Sequence, residues 1–170
     1  MVPDYLKSPE ALLLYIKNTV DYDPAGRYIF SRNNVWDPRD KSGLMLVDLK
    51  PGPYAVWYGY GSHMWLDWMR AYNPSMIKQY NALFKIEVDR DQVLKLDTPE
   101  NVIEFNRAFS NDEGLINWNA VATQYIGVEF VPYFQQLRAD LWWYKNLSIA
   151  SGVIFDPVNG ITNAKLVWKR

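Results

Sequence analysis

The sequence predicts an α+β fold, on three observations. Short segments rich in β-branched and aromatic residues recur along the whole chain, while only a few short stretches between them carry helical periodicity. No repeat, low-complexity tract or linker interrupts the pattern, so the 170 residues read as one domain large enough to bury a core.

The elements follow in order. SPEALLLYIKNTV reads as a helix, with Ser8 as N-cap and Pro9 at the first helical position. Its Leu12, Leu13, Leu14 and Ile16 are apolar on more than one side, suited to covering a core or a partner. DYDPAG (21–26) stops it, and RYIFS (27–31) is a strand. Residues 33–53 hold several turn formers and read as a long loop. YAVWYGY (54–60) is a strand ending in glycines. From Ser62 a helix places Trp65, Trp68, Met69 and Tyr72 on one face. ALFKIEV (82–88) alternates as a half-buried strand, and VLKL (93–96) is another. DTPENVIEFNRAF is a helix capped by Thr98, with Val102, Phe105 and Phe109 facing inward. INWNAVATQY is a short helix capped by Asn117, leading into the strand IGVEFV. Residues 135–148 fit no single template, and SGVIF (151–155) and AKLVW (164–168) read as late strands.

Composition narrows the chemistry. A net charge of −1 with no basic run gives no electrostatic footprint for tight duplex binding. The absence of Cys excludes disulfides, thiol nucleophiles and thiolate metal sites. One histidine, His63, excludes multi-His metal centres, and no metal site is expected. No stretch is long and apolar enough for a membrane span, and the start MVPDYLKSPE does not read as a signal peptide; a cytoplasmic protein is expected. Aromatic residues are 16% of the chain, including 8 Trp and 12 Tyr, which suits either a core of large side chains or a cleft with stacking faces.

Ordinary site motifs are missing. There is no Walker-type phosphate loop, GYG (59–61) lacks the dinucleotide-binding context, and His63 after GYGS forms no nucleophile elbow. Glu129 paired with Asp140 or Asp67 would be needed for glycosidase chemistry, with Trp142 and Trp143 as sugar platforms, but no spacing selects such a pair. Glu129 itself stands out as a single carboxylate inside the apolar run QYIGVEFVPYF. Burying it without a partner costs several kcal/mol, so it faces water, is paired, or works chemically.

Four segments in order, PYAVWYGYGSHMWLDWM, NALFKIEVDRDQVLKLDTPENVIEFNRAF, INWNAVATQYIGVEFVPYF and LWWYKNLSIASGVIFDP, resemble a group of small ADP-ribosyltransferase-like proteins common in bacteriophage and bacterial genomes. Motifs of that group read L-Y-[HR]-x-S, G-L-W-x-S before a Trp-rich helix, I-D-W-x-x-V-A-x-x-Y-D-G-[IV]-E and W-D-x-A-S-G-x-I-W. The resemblance covers residues 27 to about 157 and is strongest over 117–133 and in ASGVIF. It implies a split pair of small, mainly antiparallel sheets around an NAD-holding cleft. Residues 1–26 would be an added helical extension and 27–170 the core.

The resemblance also implies NAD as substrate, transfer of ADP-ribose to a protein or nucleic-acid acceptor, and Glu129 as the catalytic carboxylate. If the chain is phage-encoded, it would work in the host cytoplasm. Position by position, Ile29 stands where the group has His or Arg, and Gly59 where it has Ser; Leu147-Ser148 replaces W-D. Arg27, two residues from Ile29 and on its strand face, Ser31, Tyr58 and Tyr60 are the remaining cofactor-binding candidates. The alternatives are a member diverged into a binding or inhibitor protein acting between host and phage, and a carbohydrate module.

Overall fold

The computed structural model describes residues 3–49 and 52–170. Met1 and Val2 at the chain start, and Lys50 and Pro51 in the expected long loop, lie outside the described residues. The architecture is α+β. Seven strands, β1 (Arg27–Ser31), β2 (Val56–Tyr60), β3 (Ala82–Val88), β4 (Val93–Lys95), β5 (Gly127–Phe130), β6 (Ser151–Ile154) and β7 (Ile161–Lys169), hydrogen-bond in the order β4-β5-β6-β2-β1-β3-β7. The resemblance implies two separate small sheets; the observed strand order forms one mixed sheet, in which β4–β5 is a parallel pair. Residues divide into two compact units, 1–44 with 58–87 and 163–170, and 45–57 with 88–162.

In the first unit, α1 (Pro9–Thr19) begins where the sequence places it: the Ser8 hydroxyl accepts from the Ala11 N–H at 3.1 Å and Pro9 opens the helix. Leu12, Leu13 and Ile16 are buried while Leu14 is 53% exposed, so α1 covers a core with one stripe. Strand β1 (Arg27–Ser31) is buried along its whole length. It pairs antiparallel with β2 (Val56–Tyr60) and with β3 (Ala82–Val88), whose register runs from Arg27↔Ile86 to Ser31↔Ala82.

Helix α2 (Met64–Tyr72) buries Trp65, Leu66 and Met69, not the face expected from the sequence. The buried stripe is centred on Met69 and extends to Leu66 and not to Trp68, and Tyr72 lies outward at 73% exposure, where its ring stacks on Trp68 at 5.2 Å. Residues Pro74–Gln79 form a 3-10 helix, capped by Asn73, outside the elements expected from the sequence.

In the second unit, β4 (Val93–Lys95), β5 (Gly127–Phe130) and β6 (Ser151–Ile154) lie side by side. Thr98 caps α3 (Pro99–Phe109), whose Val102, Phe105 and Phe109 are buried as their spacing predicts. Asn117 caps α4 (Trp118–Gln124). The ambiguous stretch resolves into a 3-10 turn over Gln135–Leu137 and the single-turn α5 (Trp142–Lys145). Asp156 caps another single turn, α6 (Pro157–Gly160). β7 (Ile161–Lys169) begins earlier than AKLVW suggested.

Candidate functional site

Glu129 lies in β5, the third residue of a four-residue strand that is buried throughout. Its neighbours Val128 and Phe130 are both 0% exposed. Alternation turns these two to the opposite sheet face from Glu129. That opposite face is an aromatic core. Phe130 stacks on Trp57 at 6.4 Å and meets Trp118 and Trp143, while Phe105 contacts Trp118 and Trp143 in turn. Glu129 therefore shares a strand with the hydrophobic core without sharing its face.

Across the sheet the register sets Glu129 beside Gly152 on β6 and Lys95 on β4. Gly152 leaves the position next to the carboxylate without a side chain. Glu129 is only 6% exposed, and neither it nor Arg27 is without an interaction partner. The charge is thus neither solvated nor orphaned, which leaves the paired or working roles open to it.

In the first unit, Arg27 is 8% exposed and lies directly opposite Tyr60 in the β1–β2 register. Its guanidinium carbon sits 5.3 Å from the Tyr60 ring centroid and 5.9 Å from that of Tyr58. Two aromatic faces hold the cation in place, a contact that strengthens when water is excluded. Tyr58 is 0% exposed, and Tyr60 is half-buried. Of the two rings, Tyr60 is the one with surface to offer.

Ile29 and Gly59, the two positions where the sequence differs from the motifs of the group it resembles, are both packed. Ile29 is 2% exposed and pairs with Phe84. Gly59 lies opposite Tyr28, one residue out of phase with Tyr58 and Tyr60. A Cβ built on Gly59 would meet the Trp65 indole at 3.1, 3.2 and 3.3 Å. Trp65 is 1% exposed and its Nε1–H donates to the Tyr28 carbonyl at 2.8 Å, so the ring is tethered. Position 59 therefore faces Trp65, away from Arg27, and the glycine is a packing requirement.

Ser31 is 6% exposed, with both hydrogen-bonding roles of its hydroxyl occupied in its own loop. It donates to Asp40 at 3.1 Å and accepts from the Asn33 N–H at 3.0 Å. Asp40 also accepts from Asn33 and Ser42; burial opposes its charge, but these hydrogen bonds prevail and hold its carboxyl below the usual range. That assembly fixes the loop after β1.

The remaining candidates separate clearly. Trp143 is 6% exposed and donates to Asn106, which makes it core, whereas Trp142 is 61% exposed with Lys145 over its ring. Asp67 is held by Lys17 at 2.8 Å and Asp140 is exposed. His63 is half-buried against the Tyr22 ring, and its Nε2 is buried with no hydrogen-bond partner among the described residues. Among the described residues no group of three or more His, Asp or Glu side chains is placed to hold a metal ion, and no helix is long and apolar enough to cross a membrane.

No family model, curated protein or solved structure matches the chain.

Proposed function

We propose that the protein is an ADP-ribosyltransferase-like protein that takes NAD as substrate and uses Glu129 as its catalytic carboxylate. One observation carries the reading: an acid almost completely withdrawn from water, in a strand whose other face is aromatic core. Core packing does not require a carboxylate there. Breaking the nicotinamide–ribose bond builds positive charge on the ribose, as in glycoside cleavage. A carboxylate against the ribose 2′-hydroxyl stabilises that charge, and most strongly where water is excluded.

Among the cofactor-binding candidates that the resemblance implies, Arg27 offers a fixed cation and Tyr60 a ring face for stacking. Lys and Arg outnumber Asp and Glu by 12 to 8 in the unit that carries Arg27, which favours an anionic ligand there. Ser31 is outside this set because its hydroxyl is occupied by Asp40 and Asn33. Tyr58 acts through Arg27, having no exposed surface of its own. The acceptor is a protein or nucleic-acid group.

A second reading is favoured by the packing of Ile29 and Gly59. Both family positions are filled by core contacts, as in a fold retained for binding another macromolecule after catalysis is lost. Isothermal titration with NAD, ADP-ribose and a panel of sugars separates the readings. NAD and ADP-ribose binding abolished by Arg27→Ala supports the first, and heat with neither nucleotide overturns it.

A further inference from the structure

We propose that Tyr133 and Tyr144 form a clasp that positions Glu129. This rests on the reading of Glu129 above and adds two positioning residues to it. The β5–β6 register pairs Glu129 with Gly152 and Phe130 with Ser151. Continued past the end of the ladder, the same register brings Tyr133 opposite Ser148. There the chain is held by side chains in place of strand hydrogen bonds. The Tyr133 hydroxyl donates to the Tyr144 carbonyl at 3.0 Å and lies against the Ser148 backbone N–H. The Phe134 N–H donates to the Tyr144 hydroxyl at 2.6 Å. The two rings stack with centroids 4.7 Å apart and planes 11° from parallel.

Each tyrosine thus closes a bond on the other's stretch of chain. One stretch leaves β5 just after Glu129, and the other enters β6 just before Gly152. Each strand has only four residues, so few ladder hydrogen bonds join the two. A slip of one residue would turn Glu129 onto the face that holds Phe130, Trp118 and Trp143. The clasp opposes that slip from the end where the two strands part.

Tyr144→Phe removes the acceptor for the Phe134 N–H and keeps the ring stack; Tyr133→Phe removes the donor to the Tyr144 carbonyl. Two readouts are taken: NAD turnover, and the carboxyl 13C resonance of Glu129 in glutamate-labelled protein, assigned by its loss in Glu129→Gln. For Tyr144→Phe, kcat is expected to fall about 10-fold or more, the cost of a sub-ångström misplacement. KM should stay within about 2-fold, because ground-state contacts to NAD are untouched. The Glu129 resonance should shift. Ile77→Val, a core truncation in the other unit, serves as the control and should change neither readout. Both Tyr→Phe variants matching wild type in kcat and resonance would overturn the proposal. If the wild type does not turn over NAD, the functional reading fails separately and the resonance decides: a shift supports the clasp, and an unmoved resonance overturns it. Should Tyr144→Phe fail to fold, Tyr133→Phe, which leaves the Phe134 N–H its acceptor, decides by the same criteria.

Discussion

Gly59→Ser would introduce the side chain found here in the motif that the sequence resembles, and the structure predicts that it adds no function. The new Cβ would lie 3.1 to 3.3 Å from three atoms of the Trp65 indole. That ring is 1% exposed and tied to the Tyr28 carbonyl, so retreat stretches a 2.8 Å hydrogen bond. Overpacking of this kind costs about 1–3 kcal/mol, and weakening the hydrogen bond adds about 0.5–1.5 kcal/mol. Replacing a glycine returns about 0.4–1 kcal/mol through the unfolded chain. The net is a destabilisation of about 0.5–4 kcal/mol, or a drop of roughly 1–16 °C in Tm for a chain of this size. Urea unfolding followed by tryptophan fluorescence measures it, with the m-value expected to be unchanged. NAD affinity should not rise, because the serine points at Trp65. Unchanged stability together with tighter NAD binding would refute the assignment of position 59 to the packed face.

Three further outcomes follow from single positions. A Cβ at Gly127 would collide with the Val153 carbonyl oxygen and with Ile154 Cδ1, so Gly127→Ala should lose about 2 kcal/mol or more in chemical denaturation. Ser148 has φ of 58°, in the left-handed region that glycine occupies without penalty, so Ser148→Gly should raise stability by about 0.5–1 kcal/mol. The Lys85 ammonium, 2.6 Å from Asp23, is the chief reason the Asp23 carboxyl titrates below its usual 3.8. A depressed carboxyl contributes stability above its unfolded value and loses it as pH falls through the folded value. Lys85→Met should therefore cost at most about 1 kcal/mol near neutral pH, the pair being part-exposed, and the difference from wild type should close below the ordinary carboxyl range.

Much of the fold was legible because local chemistry agreed with the final packing. Ser8, Thr98 and Asn117 were readable as caps since each stands before a periodic stretch, and each accepts the expected backbone N–H. Strand β1 occupies the residues that RYIFS suggested. What failed to show in the sequence depends on contacts between distant residues. The outward placement of Tyr72 follows from where α1 and the Pro74–Gln79 turn pack, which no periodicity records. Asn73-Pro74 is the one local signal for that short helix, with Asn73 as its cap and Pro74 at its first position. At the candidate site, Glu129 was conspicuous as one acid in an apolar run, but its seclusion is a tertiary fact. The engagement of Ser31 with Asp40 and the face assigned to Gly59 needed the loop and Trp65 in place. The Tyr133–Tyr144 clasp left no motif, because its partners come from an exit loop and a single-turn helix.

Release of nicotinamide from NAD, by wild type and by Glu129→Gln side by side, tests the role of Glu129 most directly. The substitution keeps the shape of the side chain and removes its charge, so thermal unfolding should change little. Turnover is expected to fall about 100-fold or more, as when one electrostatic stabiliser is removed, with NAD affinity by titration largely kept. Wild-type protein that neither binds nor cleaves NAD at millimolar concentration, or a Glu129→Gln variant that turns it over at the wild-type rate, would contradict the account.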